Sequence, residues 1–283
     1  MRTVEPIAEL RRLLAEHRTG GGRIAMVPTM GFLHEGHLRL VDEARRRGSL
    51  VVMSIFVNPL QFSPSEDLSR YPRDLAGDAA KAAERGADVL FTPTTETMYP
   101  AGAPAIEVRP LSLADRWEGA VRPGHFTGVL TVVAKLLNIA QPDSAIFGQK
   151  DIQQCILVSA MARDLNFPVE IVVTPTVREH DGLAMSSRNS YLQGDDRKRA
   201  TVLWRALRAI SRSFDEGERS ATTLEEVGRE VMGSEPSVAV DYLAVADPDR
   251  LEPVRQATRG TVIALAARVG GTRLIDNTIL GAA

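Results

Sequence analysis

The chain has 283 residues, of which 44% are hydrophobic and 25% are charged, an ordinary composition for a globular protein with a sizeable core. Lys plus Arg number 34 and Asp plus Glu number 36, so the formal net charge is −2. A nearly neutral chain has no overall attraction for nucleic acid or anionic membranes, so any anionic ligand must be held by a local site.

The apolar runs of the first half alternate with longer amphipathic segments. In chain order they predict strands at residues 23–27, 50–56, 89–92, 145–147 and 169–173, and helices at residues 37–47, 75–85, 128–140 and 151–164. Continuous apolar strands separated by helices favour a parallel sheet covered on both faces. We therefore expect a doubly wound, Rossmann-like α/β domain, whose ligands bind beyond the carboxyl ends of the strands.

The pattern changes after Pro175. Amphipathic helices are predicted at residues 195–214 and 222–232, and strands at residues 238–245 and 261–269. These elements indicate a smaller α+β unit. The predicted domains are therefore residues 1–175 and 176–283.

The single cysteine, Cys155, lies in an apolar run and is expected to be a small buried side chain. One cysteine cannot form a disulfide within the chain, which favours a reducing compartment. The first residues match neither a signal peptide nor a transit peptide, and no apolar run is long enough to cross a bilayer. We expect a cytoplasmic protein.

Two histidines with a glycine between them, His34, Gly36 and His37, follow the first of these predicted strands and open a helix. A helix N-terminus offers unpaired N–H groups and a positive dipole end, which suit a phosphate chain. Histidines there can donate to phosphate oxygens in the transition state. The alternatives are a zinc site, which has no nearby third ligand, or ordinary histidines at a helix start.

Polar side chains also follow other predicted elements. Asn58 and Gln61 come after the next strand and suit a substrate with hydroxyl and carboxylate oxygens, although a plain Asn-Pro turn is favoured when this segment is considered alone. Arg122 and His125 lie in a loop before a helix, where they either meet an anion or form a structural turn.

Two further segments carry charged or hydroxyl groups. Lys150 is a candidate point charge for phosphate, Asp151 a helix N-cap or a ribose ligand, and Gln154 a substrate ligand one turn into the helix. Residues 185–188 place two hydroxyls beside a guanidinium, a suitable clamp for phosphates, although such strings are common in loops.

These motifs resemble a known family. His34-x-Gly36-His37 resembles the HxGH motif of the nucleotidyltransferase superfamily, and residues 185–188 resemble its second phosphate loop. Longer strings resemble the pantothenate synthetase (pantoate–β-alanine ligase) family in order and spacing, at residues 28–37, 56–62, 70–73, 122–129, 147–151 and 185–189. One departure is Asp74, where many members have threonine.

The resemblance implies an ATP-dependent ligase that condenses pantoate with β-alanine through a pantoyl adenylate. The implied catalytic residues are His34, His37, Lys150 and Arg188. The implied ATP ligands are Met30, Gly31, His34, Gly36, His37, Gly148, Gln149, Lys150, Asp151, Val177, Met185, Ser186, Ser187 and Arg188. The implied ligands of pantoate and β-alanine are Gln61, Gln154, Asn58, Arg122, His125 and Tyr71.

The resemblance also implies Mg²⁺ accompanying ATP, with Asp78 as the protein contact, and a homodimer without nucleic-acid or membrane partners. Two other functions remain open. One is a cytidylyltransferase or an adenylyltransferase of the NAD pathway, against which the neutral amides Asn58, Gln61 and Gln154 argue. The other is a non-catalytic nucleotide-binding regulator, against which the full set of basic and hydroxyl residues argues.

Overall fold

The computed structural model describes residues 1–64 and 66–282, which form two compact units. Unit 1 contains Met1–Gly148 and Gln154–Pro175, and unit 2 contains Gln149–Gln153 and the chain from Thr176 onward. The predicted division at residue 175 assigns Gln149–Gln153 to the first domain, whereas this segment packs with the second half of the chain. None of the helices in the described part of the chain combines the length and apolar character that a membrane crossing requires.

A six-stranded sheet lies at the centre of unit 1. Its strands are β1 Arg2–Val4, β2 Ile24–Thr29, β3 Leu50–Ile55, β4 Val89–Phe91, β5 Ser144–Gly148 and β6 Glu170–Thr174. The order is β1-β4-β3-β2-β5-β6, and every pair of neighbours is parallel. The predicted parallel sheet is confirmed, and β1 is a strand that the sequence analysis did not predict.

Helices cover both faces of this sheet. They are α1 Ile7–Thr19, α2 Glu35–Arg47, α3 Leu75–Arg85, α4 Thr95–Met98, α5 Glu118–Val121, α6 His125–Ala140 and α7 Ile152–Asp164. Successive strand residues point to opposite faces. Ile24 and Met26 of β2 therefore join the cluster formed with α1, α6 and α7, whereas Ala25 and Val27 pack with α2 and α3. This arrangement confirms the doubly wound fold.

Helix α3 occupies the predicted residues because its ends are encoded locally. Asp74 caps the N-terminus, where its Oδ1 accepts a hydrogen bond from the Gly77 N–H at 3.0 Å. Gly86 ends the helix with a φ of 96°, in the left-handed region that glycine adopts readily. Threonine and aspartate are both favourable N-caps, so the departure from the family at Asp74 preserves this structural role.

Unit 2 contains a three-stranded antiparallel sheet packed against helices. The elements are α8 Asp195–Arg199, α9 Val202–Asp215, α10 Ala221–Gly233, β7 Val238–Ala246, β8 Val262–Val269 and β9 Thr272–Ile279. The prediction of one helix over residues 195–214 is wrong. A tight turn separates α8 from α9. In it, the Thr201 N–H and hydroxyl both donate to the Lys198 carbonyl, at 3.2 and 2.7 Å.

Candidate functional site

The two histidines of the first motif cap α2. His34 is the N-cap, and its Nδ1 accepts a hydrogen bond from the Gly36 N–H at 3.1 Å. The Nδ1 of His37 accepts in turn from the His34 N–H at 3.4 Å, and the two ring centroids are 4.1 Å apart. Because both Nδ1 atoms are acceptors, the proton of each neutral ring lies on Nε2. The cap thus makes each Nε2 a hydrogen-bond donor at the positive end of a helix.

Helix α3 holds the loop that precedes this cap. The two carboxylate oxygens of Asp78 accept hydrogen bonds from the N–H groups of Phe32 and Leu33 at 2.7 and 2.6 Å. Gly31 has a φ of 86°, and a Cβ there would lie 2.9 Å from a methyl group of Ile55. Asp78 is 1% exposed. Its geometry therefore favours a structural role in shaping the loop, and its assignment to Mg²⁺ stays a prediction.

Gln61, after β3, is oriented by Asn58. The Asn58 Nδ2 donates to the Gln61 Oε1 and to the Gly128 carbonyl, both at 3.1 Å. The Asn58 Oδ1 accepts from the Tyr99 hydroxyl at 2.9 Å, and the Gln61 Nε2 donates to the Met30 Sδ at 3.0 Å. Asn58 is fully buried and its amide is saturated. Asn58 therefore orients Gln61, and its own contact with substrate stays a prediction.

Arg122 and His125 attach the start of α6 to Gln61. The His125 Nδ1–H donates to the Gln61 carbonyl at 2.8 Å, and the His125 Nε2 accepts from the Arg122 Nη1 at 3.0 Å. Arg122 also pairs through its Nε with the carboxylate of Glu66. The His125 N–H also donates to the Arg122 carbonyl at 3.1 Å, so the structural-turn interpretation fits this segment, and contact of Arg122 and His125 with an anion stays a prediction.

The electrostatics of this cluster follow from its burial. Burial lowers the pKa of His125 from 6.5 to about 4, and the positive charge of Arg122 acts in the same direction. For Glu66, burial raises the pKa, but hydrogen bonds from Arg122 and the Ser63 N–H outweigh it, so the pKa lies below its ordinary value. At neutral pH the cluster therefore contains a neutral imidazole between an ion pair and a backbone carbonyl.

In unit 2, the side chain of Asn277 on β9 holds the turn that contains Lys150. Residues Gln149–Asp151 form a short 3-10 helix. The Asn277 Nδ2 donates to the carbonyls of Gln149 and Lys150 at 2.8 and 2.9 Å, and the Gln149 Nε2 donates to the Asn277 Oδ1 at 3.1 Å. The Lys150 Nζ lies 3.4 Å from the carboxylate of Asp151. The Lys150 ammonium group, the candidate contact for phosphate, thus belongs to a turn whose backbone is held by hydrogen bonds.

The second candidate phosphate segment is also in unit 2. The Met185 N–H donates to the Val177 carbonyl at 2.9 Å, which brings two predicted ATP residues together. Ser186 caps the 3-10 helix Ser187–Tyr191, and its Oγ accepts from the Arg188 N–H at 3.3 Å. Ser187 is buried. The Ser186 hydroxyl therefore has a structural role in this segment.

The other predicted residues lie in unit 1. Gln154 is half-buried in the first turn of α7. Tyr71 is buried, and its ring packs edge-on against Phe62 with centroids 5.9 Å apart. Cys155 is buried as predicted, and its Sγ donates to the Gly148 carbonyl at 3.3 Å.

Some supporting residues were missed by the sequence analysis, namely Glu66, Tyr99, Arg178, Asp276 and Asn277. Buried polar side chains are expected to be paired, but only the folded chain shows with which partner. In β9 the buried residues Thr272, Leu274 and Asp276 alternate along the strand, but the sequence Thr-Arg-Leu-Ile-Asp does not alternate apolar and polar residues, so this pattern is visible only in the folded chain.

A parallel sheet whose strand β2 leads into a helix capped by His34 and His37 defines an α/β protein with a candidate phosphate site at the carboxyl edge of its sheet. The family model described as Pantoate-beta-alanine ligase matches residues 2–279, and the chain belongs to this family. It is accordingly a ligase, an enzyme that forms a carbon–nitrogen bond.

Relatives of known name agree with this assignment. A pantothenate synthetase of Desulfitobacterium hafniense is 52% identical over 275 residues, which cover 97% of each chain. A crystal structure of pantothenate synthetase from Thermus thermophilus is 50% identical, with a TM-score of 0.94 over 99% of each chain. A pantoate–β-alanine ligase from Francisella tularensis, crystallised with Beta-gamma ATP and β-alanine, is 33% identical, with a TM-score of 0.81 over 99% of this chain and 97% of that one.

Proposed function

We propose that this chain condenses (R)-pantoate with β-alanine in two steps that consume ATP. The pantoate carboxylate attacks the α-phosphate of ATP, which forms pantoyl adenylate and releases pyrophosphate. The amine of β-alanine then attacks the acyl carbon, and AMP leaves as pantothenate forms. No covalent enzyme intermediate is needed, because positioning and charge neutralisation lower both barriers.

The observation that carries the proposal is the bonded set Met30, Asn58, Gln61 and His125 beside the carboxyl end of β2 and β3. With its Oε1 fixed by Asn58, the Gln61 amide has a defined orientation. A neutral amide suits pantoate, which carries hydroxyls and a carboxylate, without adding charge next to the reacting carboxylate. The proposal assigns pantoate to Gln61 and Gln154, with Arg122, His125 and Tyr71 nearby and Asn58 in support.

The phosphates of ATP are assigned to donors and cations. His34 and His37 offer Nε2–H groups where charge develops in the transition state. The other proposed ATP ligands are Met30, Gly31, Gly36, Gly148, Gln149, Lys150, Asp151, Val177, Met185, Ser186, Ser187 and Arg188. The Francisella relative crystallised with Beta-gamma ATP supports ATP as the nucleotide of this site.

Mg²⁺ would accompany the ATP phosphates, where it would neutralise charge and be held chiefly by phosphate and water oxygens. Within residues 1–64 and 66–282, no three His, Cys, Asp or Glu side chains are grouped to hold a metal ion. Each carboxylate oxygen of Asp78 already accepts a backbone hydrogen bond, which favours the structural role, and no step of the mechanism is assigned to its predicted contact with Mg²⁺.

We propose an ATP- and pantoate-binding domain over residues 1–175, a lid domain over residues 176–283, and a cytoplasmic homodimer. A lid has a chemical purpose, since water would hydrolyse an acyl adenylate. Hydrogen exchange at residues 176–190 should slow when ATP and pantoate are added. Unchanged exchange at saturation would contradict the lid.

The decisive assay of the reaction is ATP–pyrophosphate exchange. Exchange should require pantoate and proceed without β-alanine, because adenylate formation is reversible before the amine enters. Exchange without pantoate, or only with β-alanine present, would refute the two-step reaction.

A matched pair of variants tests His37. His37→Asn keeps an acceptor at the Nδ1 position for the cap and removes the Nε2 donor, whereas His37→Gln keeps a donor near Nε2 and loses the cap contact. We expect His37→Asn to slow adenylation about 100-fold or more, and His37→Gln to be less affected. Rapid-quench measurement of pantoyl adenylate distinguishes them, and a near-normal rate in His37→Asn would remove His37 from the mechanism.

A further inference from the structure

Asn277 lies far along the chain from the phosphate motifs, yet its side chain is bonded to one of them. It is 1% exposed, and both N–H groups of its amide donate to backbone carbonyls, those of Gln149 and Lys150. Its Oδ1 accepts from the Gln149 side chain. All these residues belong to unit 2, although Gln149–Gln153 is joined at both ends to segments of unit 1.

The backbone of Asn277 is itself fixed by a buried ion pair. The carboxylate of Asp276 accepts two hydrogen bonds from the Arg178 guanidinium, at 2.6 and 3.0 Å, and one from the Asn277 N–H at 2.8 Å. Arg178 also donates to the Asn277 carbonyl at 3.3 Å. Its guanidinium lies over the Trp204 ring, 3.8 Å from the centroid. These contacts leave Asn277 little freedom to move.

The same ion pair supports the second phosphate segment. The Arg178 Nη1 donates to the Gly182 carbonyl at 3.1 Å, and residues Arg178 and Ala184 form an antiparallel bridge. A Cβ at Gly182 would lie 1.8 Å from the Trp204 ring, so that turn is packed closely on the indole. The chain leaves this bridge directly into residues 185–188. One cluster on β9 thus supports both segments of unit 2 that are proposed to contact phosphate.

We infer that Asn277 is a positioning residue for Lys150, fixing the turn that aims the ammonium group at the ATP phosphates. The inference rests on the proposed role of Lys150. A displacement of about 1 Å in a positioned group can cost about 100-fold in rate. Because the amide of Asn277 is the side-chain donor to two consecutive carbonyls of this turn, its removal frees the turn without touching substrate.

The test combines kinetics with backbone exchange. Asn277→Ala and Asn277→Asp both remove the two donors, and Asn277→Asp keeps the shape of the side chain. We expect each to slow pantoate-dependent ATP–pyrophosphate exchange about 10–100-fold and to accelerate amide hydrogen exchange at residues 149–151. Thr278→Ala, next to Asn277 on β9, is the control and should change neither quantity. Thermal unfolding identifies any variant that fails to fold.

A double-mutant cycle separates positioning from general damage. If Asn277 acts through Lys150, Asn277→Ala should cost less than about threefold in a Lys150→Ala background, because residues that act as a unit are not additive. An equal loss in both backgrounds, or unchanged amide exchange in folded Asn277 variants, would overturn the inference. A Lys150→Ala enzyme with the normal rate would instead refute the proposed role of Lys150, so the two failures are distinguishable.

Discussion

The buried imidazole of His125 should make the stability of unit 1 depend on pH in a calculable way. Its pKa falls from 6.5 to about 4 on folding because burial disfavours the charged ring. Between these values the unfolded chain binds a proton that the folded protein does not, so stability is complete above pH 6.5 and falls as the pH drops. The full effect is about 3 kcal/mol, of which about 2 kcal/mol is lost by about pH 5.

The choice of pH separates the effect of His125 on stability from that of Glu66. The pKa of Glu66 is lowered, so its contribution to stability is lost only as the pH falls below the ordinary carboxylate value of 4.5. A measurement at about pH 5 therefore reports chiefly on the imidazole. His125→Asn is the matched variant, because an Asn amide at the Nδ1 position can still donate to the Gln61 carbonyl but does not titrate.

The assay is urea unfolding at about pH 7.5 and about pH 5. The chain has two tryptophans, so a Trp204→Phe background leaves Trp117 of unit 1 as the fluorescent probe in both proteins. We expect the protein with His125 to lose about 2 kcal/mol more free energy of unfolding between the two pH values than His125→Asn. Parallel losses would show that His125 is not held neutral, and the hydrogen bond it accepts from Arg122 would have to be reassigned.

Three other predictions concern the supporting contacts. Gly128→Ala should cost about 1–3 kcal/mol of stability, because its Cβ would lie 2.3 Å from the Leu60 carbonyl, whereas Gly233→Ala, with no atom within 4 Å, should be neutral or stabilising in urea unfolding. Asp78→Asn should cost about 1–3 kcal/mol and leave the Mg²⁺ dependence of activity unchanged; a raised Mg²⁺ requirement at normal stability would place Asp78 at the metal. Asp276→Asn should lower the free energy of unfolding of unit 2 by about 3 kcal/mol or more, since it leaves a buried guanidinium without its counter-charge, and a change below about 1 kcal/mol would contradict this.

Local sequence patterns were sufficient to predict most of the strands and the longer helices of unit 1. The helix over residues 75–85 is found at its predicted limits, because Asp74 and Gly86 encode both ends. The strands at β2, β3 and β5 are found within two residues of prediction, since buried parallel strands are continuously apolar. The motifs at residues 34–37, 58–61 and 148–151 were found in the sequence because they follow strands, whereas Arg122, His125 and residues 185–188 were found from their residue types alone. Their roles rest on the family resemblance as well as on the residue types.

The tertiary structure decided what those motifs are attached to. The strand order and the grouping of Gln149–Gln153 with unit 2 depend on pairings that no local pattern contains. Asn58 orients Gln61 because its amide is held by buried partners, one of them the Tyr99 hydroxyl 41 residues away. Asn277 meets Gln149 across 128 residues. Helix and strand propensities act over a few neighbouring residues, whereas hydrogen bonds between distant segments form only when the folded core brings those segments together.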